Sequence, residues 1–94
     1  PVDAEQAAAW GMIWRCVDDE QLTAATDEVV RGLVAKPKQG LALIKRALNA
    51  SPDNPLDRQL DLERDLQRLA GRTDDYREGV AAFMEKREPK FKGE

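Results

Sequence analysis

Pro55-Leu56-Asp57-Arg58-Gln59-Leu60-Asp61-Leu62-Glu63-Arg64-Asp65-Leu66-Gln67-Arg68-Leu69-Ala70-Gly71 reads as one amphipathic helix bounded by its own start and stop signals. Leu56, Leu60, Leu66 and Leu69 form the side expected to be buried. Asp57, Arg58, Asp61, Arg64, Asp65 and Arg68 interleave charges on the other side, as a solvated face or a polar interface does. Asn54 followed by Pro55 suits the helix entrance, with Pro55 at the first helical position, and Gly71 suits its exit.

Working outward, the pattern repeats on both sides. Ser51-Pro52-Asp53-Asn54-Pro55 is a dense turn, and before it Leu41, Ile44 and Leu48, with Ala42 and Ala47 beside them, space a helix that follows Pro37. Leu22, Ala25, Val29, Leu33 and Val34 mark another, opened by Asp18-Asp19-Glu20. Asp3 with Gln6 three residues later caps a short Ala-rich helix that stops at Gly11. After Gly71, Thr73 caps a last helix with Asp74 and Asp75 in its first turn and Tyr76, Val80, Phe83 and Met84 as its apolar residues. Pro89 marks its end. Only Met12-Ile13-Trp14-Arg15-Cys16-Val17 lacks the helical period, and it reads as a short strand or an extended connector. The expected class is all-α, with four to five amphipathic helices and one short extended segment.

Composition narrows the function. Ninety-four residues make at most one modest domain, with a radius of gyration of about 12 Å. A net charge of -3 without a block of basic residues argues against nucleic-acid binding. The apolar runs are too short to span a membrane, and Cys16 has no second cysteine to pair with, which suits a reducing cytoplasm. Pro1 leads straight into a helix start, as expected for a piece of something longer.

The chain has no histidine, so a Ser-His or Cys-His nucleophile is excluded, and with one cysteine no soft ligand set for zinc exists. Cys16 reads as a small buried hydrophobe. Asp57, Asp61 and Asp65 recur on one helix face, yet Arg58, Arg64 and Arg68 favour ion pairs there over a metal. No residues form a catalytic set, and no metal site or cofactor is expected. Trp10 and Trp14 suggest core or interface packing. At the carboxyl end, Phe83, Lys86, Arg87, Lys90, Phe91 and Lys92 combine aromatic faces with cations that could hold a phosphorylated adenine ligand, although basic residues in a last helical turn are also ordinary helix completion.

Three segments carry a family likeness: Ala4-Glu5-Gln6-Ala7-x-x-Trp10-Gly11-Met12-Ile13-Trp14, then Lys45-Arg46-Ala47-Leu48-Asn49, then Arg77-Glu78-Gly79-Val80-Ala81-Ala82-Phe83-x-Glu85-Lys86-Arg87-x-Pro89-x-Phe91. Together they resemble the carboxyl end of the crotonase superfamily, the enoyl-CoA hydratases and isomerases. The resemblance implies that residues 1–94 are a single C-terminal helical region, acting as lid and oligomerisation part. An amino-terminal spiral with the oxyanion-binding amides and the proton-moving carboxylate would precede Pro1 and is absent here. It implies an acyl-CoA substrate, a homo-oligomeric parent (a trimer or a dimer of trimers), and isomerisation of an epoxide or a double bond. It assigns Phe83 and Lys86 to the adenine and phosphate portion of coenzyme A. Their spacing of three suggests a shared helix face, and Gly79 inside the same helix suggests close approach of another backbone or ligand. The alternative is a stand-alone helical module that binds another protein through the faces of Val29, Leu33 and Leu66.

Overall fold

The computed structural model describes residues 1–94 and is all-helical, with five α-helices and no strand. No helix is long and apolar enough to cross a membrane. The chain divides into two compact units, Pro1–Arg31 and Gly32–Glu94.

In the first unit, helix α1 (Ala4–Ala9) begins where the Asp3 carboxylate accepts the Gln6 N–H at 2.7 Å. It ends in a left-handed residue, Gly11 at φ 74°, with the Met12 N–H donating to the Ala7 carbonyl at 2.9 Å and the Gly11 N–H to that of Ala8 at 3.0 Å. This is the Schellman arrangement, and it satisfies carbonyls that the helix leaves open. Residues 12–17 form bends and extended chain, so the aperiodic segment is a connector. A lone strand would have had no partner for its backbone groups. A 3₁₀ turn at Asp19–Gln21 then leads into helix α2 (Leu22–Val34), and Asp18 makes no side-chain capping bond. Cys16 is half-buried, and Trp10 and Trp14 are exposed, so neither indole belongs to a core within this unit.

The second unit is built on helix α3 (Lys38–Ala50) packed against helix α4 (Leu56–Ala70), with helix α5 (Asp74–Glu85) following a tight turn. Pro55 is the residue before α4 rather than its first, in extended conformation at φ -64° and ψ 160°. The Asn54 amide donates to Gln59 Oε1 at 3.1 Å instead of capping the helix.

The buried side of α4 differs from the expected one. Gln59 and Leu66 are buried and Leu62 is half-buried, whereas Leu56, Leu60 and Leu69 are exposed. Gln59 ties this face to the neighbouring helix. Its Nε2 donates to the Ala47 carbonyl on α3 at 3.1 Å and to Glu63 at 3.0 Å. Gln59 and Leu66 thus face α3, with Leu60 about 100° round the helix from Gln59. Ile44 and Leu48 on α3 are exposed as well. The only buried apolar residues in the chain are Leu66 and Ala82, at 5% and 1% exposure. A core this small stabilises little at roughly 25 cal/mol per Å², so polar contacts carry much of the remaining order.

Candidate functional site

The residues singled out at the carboxyl end lie on α5 and the chain beyond it. Thr73 starts the helix by accepting the Tyr76 N–H at 3.1 Å while its hydroxyl donates to the Ala70 carbonyl at 2.7 Å. At the other end Lys86 adopts the left-handed conformation, φ 54° and ψ 42°, the only residue besides glycine to do so. The Arg87 N–H closes the turn on the Ala82 carbonyl at 3.0 Å. A side chain in this conformation costs roughly 1 kcal/mol, which glycine avoids.

Two carboxylates hold the chain beyond this turn. Both Glu78 oxygens accept from Arg87, at 2.6 and 3.1 Å, and Glu78 Oε1 also accepts the Lys90 N–H at 2.7 Å. The Arg87 fork, followed by the Lys90 amide, lowers the Glu78 carboxyl to a pKa of about 2. The same contacts, with Glu85 as second partner, raise that of Arg87. Asp75, only 2% exposed, accepts the Lys92 N–H at 2.7 Å and the Gly93 N–H at 2.9 Å, and its own N–H donates to the Glu94 carbonyl at 2.9 Å. Residues 88–94 are thereby strapped along α5. The Phe91 ring lies over Gly79, where an added Cβ would stand 3.6 Å from Cε1. Phe91 is thus the group that approaches Gly79 closely, at ordinary contact distance.

Phe83 stands apart from this arrangement. At 82% exposure it is the most open large hydrophobic residue in the chain, and it forms part of an apolar groove of about 340 Å³ with Pro37, Gly40, Tyr76, Val80 and Phe91. Lys86 is exposed and takes part in no salt bridge, the cationic partner in that segment being Arg87. The expectation that Phe83 and Lys86 share a helix face needs correction, since α5 ends at Glu85 and Lys86 has left the helical geometry. The link between them is a backbone bond, the Lys86 N–H donating to the Phe83 carbonyl at 3.3 Å.

Other candidates separate in the structure. Arg64 donates to Asp61 at 2.8 Å and to Asp65 at 3.0 Å, so two of the three acids in that row are engaged in surface pairs, and no three Asp, Glu, Cys or His residues are grouped to hold a metal. Arg87 and Phe91 serve the strap. Sequence reading missed Glu78 and Asp75 as anchors. Glu78 meets Arg87 across nine positions, a separation that helical spacing does not flag, and Asp75 reads equally well as an ordinary first-turn acid.

Similarity to known proteins extends over the whole of this chain. The 1,2-epoxyphenylacetyl-CoA isomerase of Escherichia coli (strain K12) is 58% identical over 92 residues, covering 98% of this chain and 35% of that protein. A probable enoyl-CoA hydratase of Rhodobacter capsulatus is 41% identical over 92 residues, covering 98% of this chain and 36% of that protein. The solved structure of an enoyl-CoA hydratase from Geobacillus kaustophilus HTA426 superposes with a TM-score of 0.93 at 30% identity, covering 99% of this chain and 35% of that one. The chain thus spans about a third of the length of these relatives. The enoyl-CoA hydratase/isomerase family model matches residues 1–94, and the chain belongs to that family.

Proposed function

We propose that this chain is the carboxyl-terminal helical part of an acyl-CoA isomerase, and that Phe83 and Lys86 contact the nucleotide portion of coenzyme A. The observation that carries the reading is a fully presented aromatic ring, Phe83, three residues before an unpaired lysine held in a left-handed turn. Local strain at a non-glycine residue is typical of positions kept for a task. An aromatic face can stack on an adenine ring, and an exposed ammonium group can meet a phosphate.

The finer assignment is isomerisation of a ring-1,2-epoxyphenylacetyl-CoA, supported by the likeness to the Escherichia coli isomerase. Amides that stabilise the thioester oxyanion and the carboxylate that moves a proton belong to the spiral part in this reading, so this chain alone gives no turnover. The exposed rows Leu56-Leu60 and Ile44-Leu48, together with Trp10 and Trp14, are the surfaces that would cover the spiral and build a homo-oligomer. Those open faces also suit a helical interaction module, and such a module would ignore coenzyme A.

Titration of the chain with coenzyme A separates the two readings. Weak binding is expected, reduced about tenfold or more in Lys86→Ala, as loss of a charged hydrogen bond implies. Equal affinity in wild type and Lys86→Ala overturns the assignment.

A further inference from the structure

Lys86 occupies a conformation that glycine would favour, so something else must hold it there. The hydrogen bonds of the turn itself are backbone bonds and would form equally with glycine at this position. The additional restraint lies immediately beyond the turn. Arg87 is gripped by both oxygens of Glu78, and Lys90 is tied by its amide to one of them. Glu78 projects from the middle of α5 and is only partly exposed, its side chain at 25%, so both ends of the contact are anchored. A two-pronged guanidinium–carboxylate pair fixes direction as well as distance. With Arg87 fixed to α5 on one side and Ala82 and Phe83 accepting the turn's amides on the other, the backbone at Lys86 has little freedom.

We infer that Glu78 is a positioning residue for Lys86: its bidentate grip on Arg87 and its bond to the Lys90 amide hold Lys86 in the left-handed turn, from which its ammonium group is presented to a phosphate-bearing ligand. The role of the ligand rests on the proposed function, and the role of Glu78 in the backbone conformation does not. Glu85 also pairs with Arg87, but it lies at the helix end beside the turn and cannot brace the far side against the body of α5.

The test compares Glu78→Gln, Glu85→Gln and Lys86→Ala in residues 1–94, reading the Lys86 backbone by its H–N–Cα–H coupling and Cα shift and reading coenzyme A affinity in parallel. In Glu78→Gln, Lys86 is expected to leave the left-handed conformation while amides from Tyr76 to Ala82 stay protected from exchange. Coenzyme A affinity should then fall about as far as in Lys86→Ala, roughly tenfold. In Glu85→Gln, Lys86 should keep its conformation. An unchanged Lys86 backbone in Glu78→Gln overturns the inference, as does an equal disturbance in Glu85→Gln. If Glu78→Gln loses the whole helix, Arg87→Gln takes its place, with the same expected shift at Lys86 and the same overturning result. Equal coenzyme A affinity in wild type and Lys86→Ala removes the ligand reading alone, and the backbone signal still decides the role of Glu78.

Discussion

Two helix ends in this chain are closed by the same hydrogen-bond motif and differ in the residue at its centre. α1 turns through Gly11 at φ 74°, and α5 turns through Lys86 at φ 54°. In each, the amide one residue beyond the left-handed position returns to a carbonyl, Met12 to Ala7 at 2.9 Å and Arg87 to Ala82 at 3.0 Å. At α1 the motif is self-sufficient, since glycine enters the left-handed region without steric cost. At α5 the cost is real and the supports come from a distance. Glu78 holds residues 87 and 90, and Asp75 holds 92 and 93. The α5 end thus carries a lysine where a glycine would be easier, with the chain beyond it held by two carboxylates.

Breaking the buttress should have the largest effect. Asp75→Ala leaves the Lys92 and Gly93 amides without their acceptor and is expected to destabilise the second unit by about 2–3 kcal/mol. Denaturant unfolding measures the loss, and hydrogen exchange should show amides 92 and 93 unprotected. Exchanging the central residues sharpens the comparison next. Gly11→Ala should cost about 1 kcal/mol, while Lys86→Gly should gain up to about 1 kcal/mol and lose the affinity for coenzyme A. Glycine also frees the unfolded chain, so a Lys86→Gly variant about 1 kcal/mol less stable than wild type is the result that shows the left-handed lysine to carry no strain.

Acid should have the mildest effect, and at the α5 end it acts through Glu78. The Glu78 carboxyl is depressed to about 2, so its contribution is complete above the ordinary carboxylate range near 4.5 and is lost as pH falls through 2. The Glu78 carboxyl carbon resonance should titrate near 2 in wild type and move toward the ordinary range in Arg87→Gln. An ordinary midpoint in wild type shows that the Arg87 fork is not maintained in solution. The turn at the α1 end has no such carboxylate, its bonds being backbone to backbone.

Much of the helical plan was readable from local chemistry. Asp3, Gly11 and Thr73 act as caps where their types and spacing place them, because capping depends on residues within one helical turn. Gly71 shows the limit of that reasoning, for it closes α4 at φ -67° and never uses its left-handed freedom. Phe83 and Lys86 were drawn out of the aromatic and cationic residues at the carboxyl end by a resemblance, and the left-handed turn at Lys86 was not visible in a pattern of helical repeats.

Local sequence, then, settled the helices and the caps at Asp3, Gly11 and Thr73, since hydrogen bonds within a helix and its caps are short-range. Tertiary structure decided which face of each helix is covered. On α4 the leucines pointed to Leu56, Leu60, Leu66 and Leu69; of these only Leu66 is buried, beside a Gln59 whose amide bonds the Ala47 carbonyl. It also decided that Glu78 and Asp75 are anchors, because both act on chain that returns after 9 to 18 residues. Such contacts depend on the path of the backbone through space, and no periodicity along the sequence encodes that path.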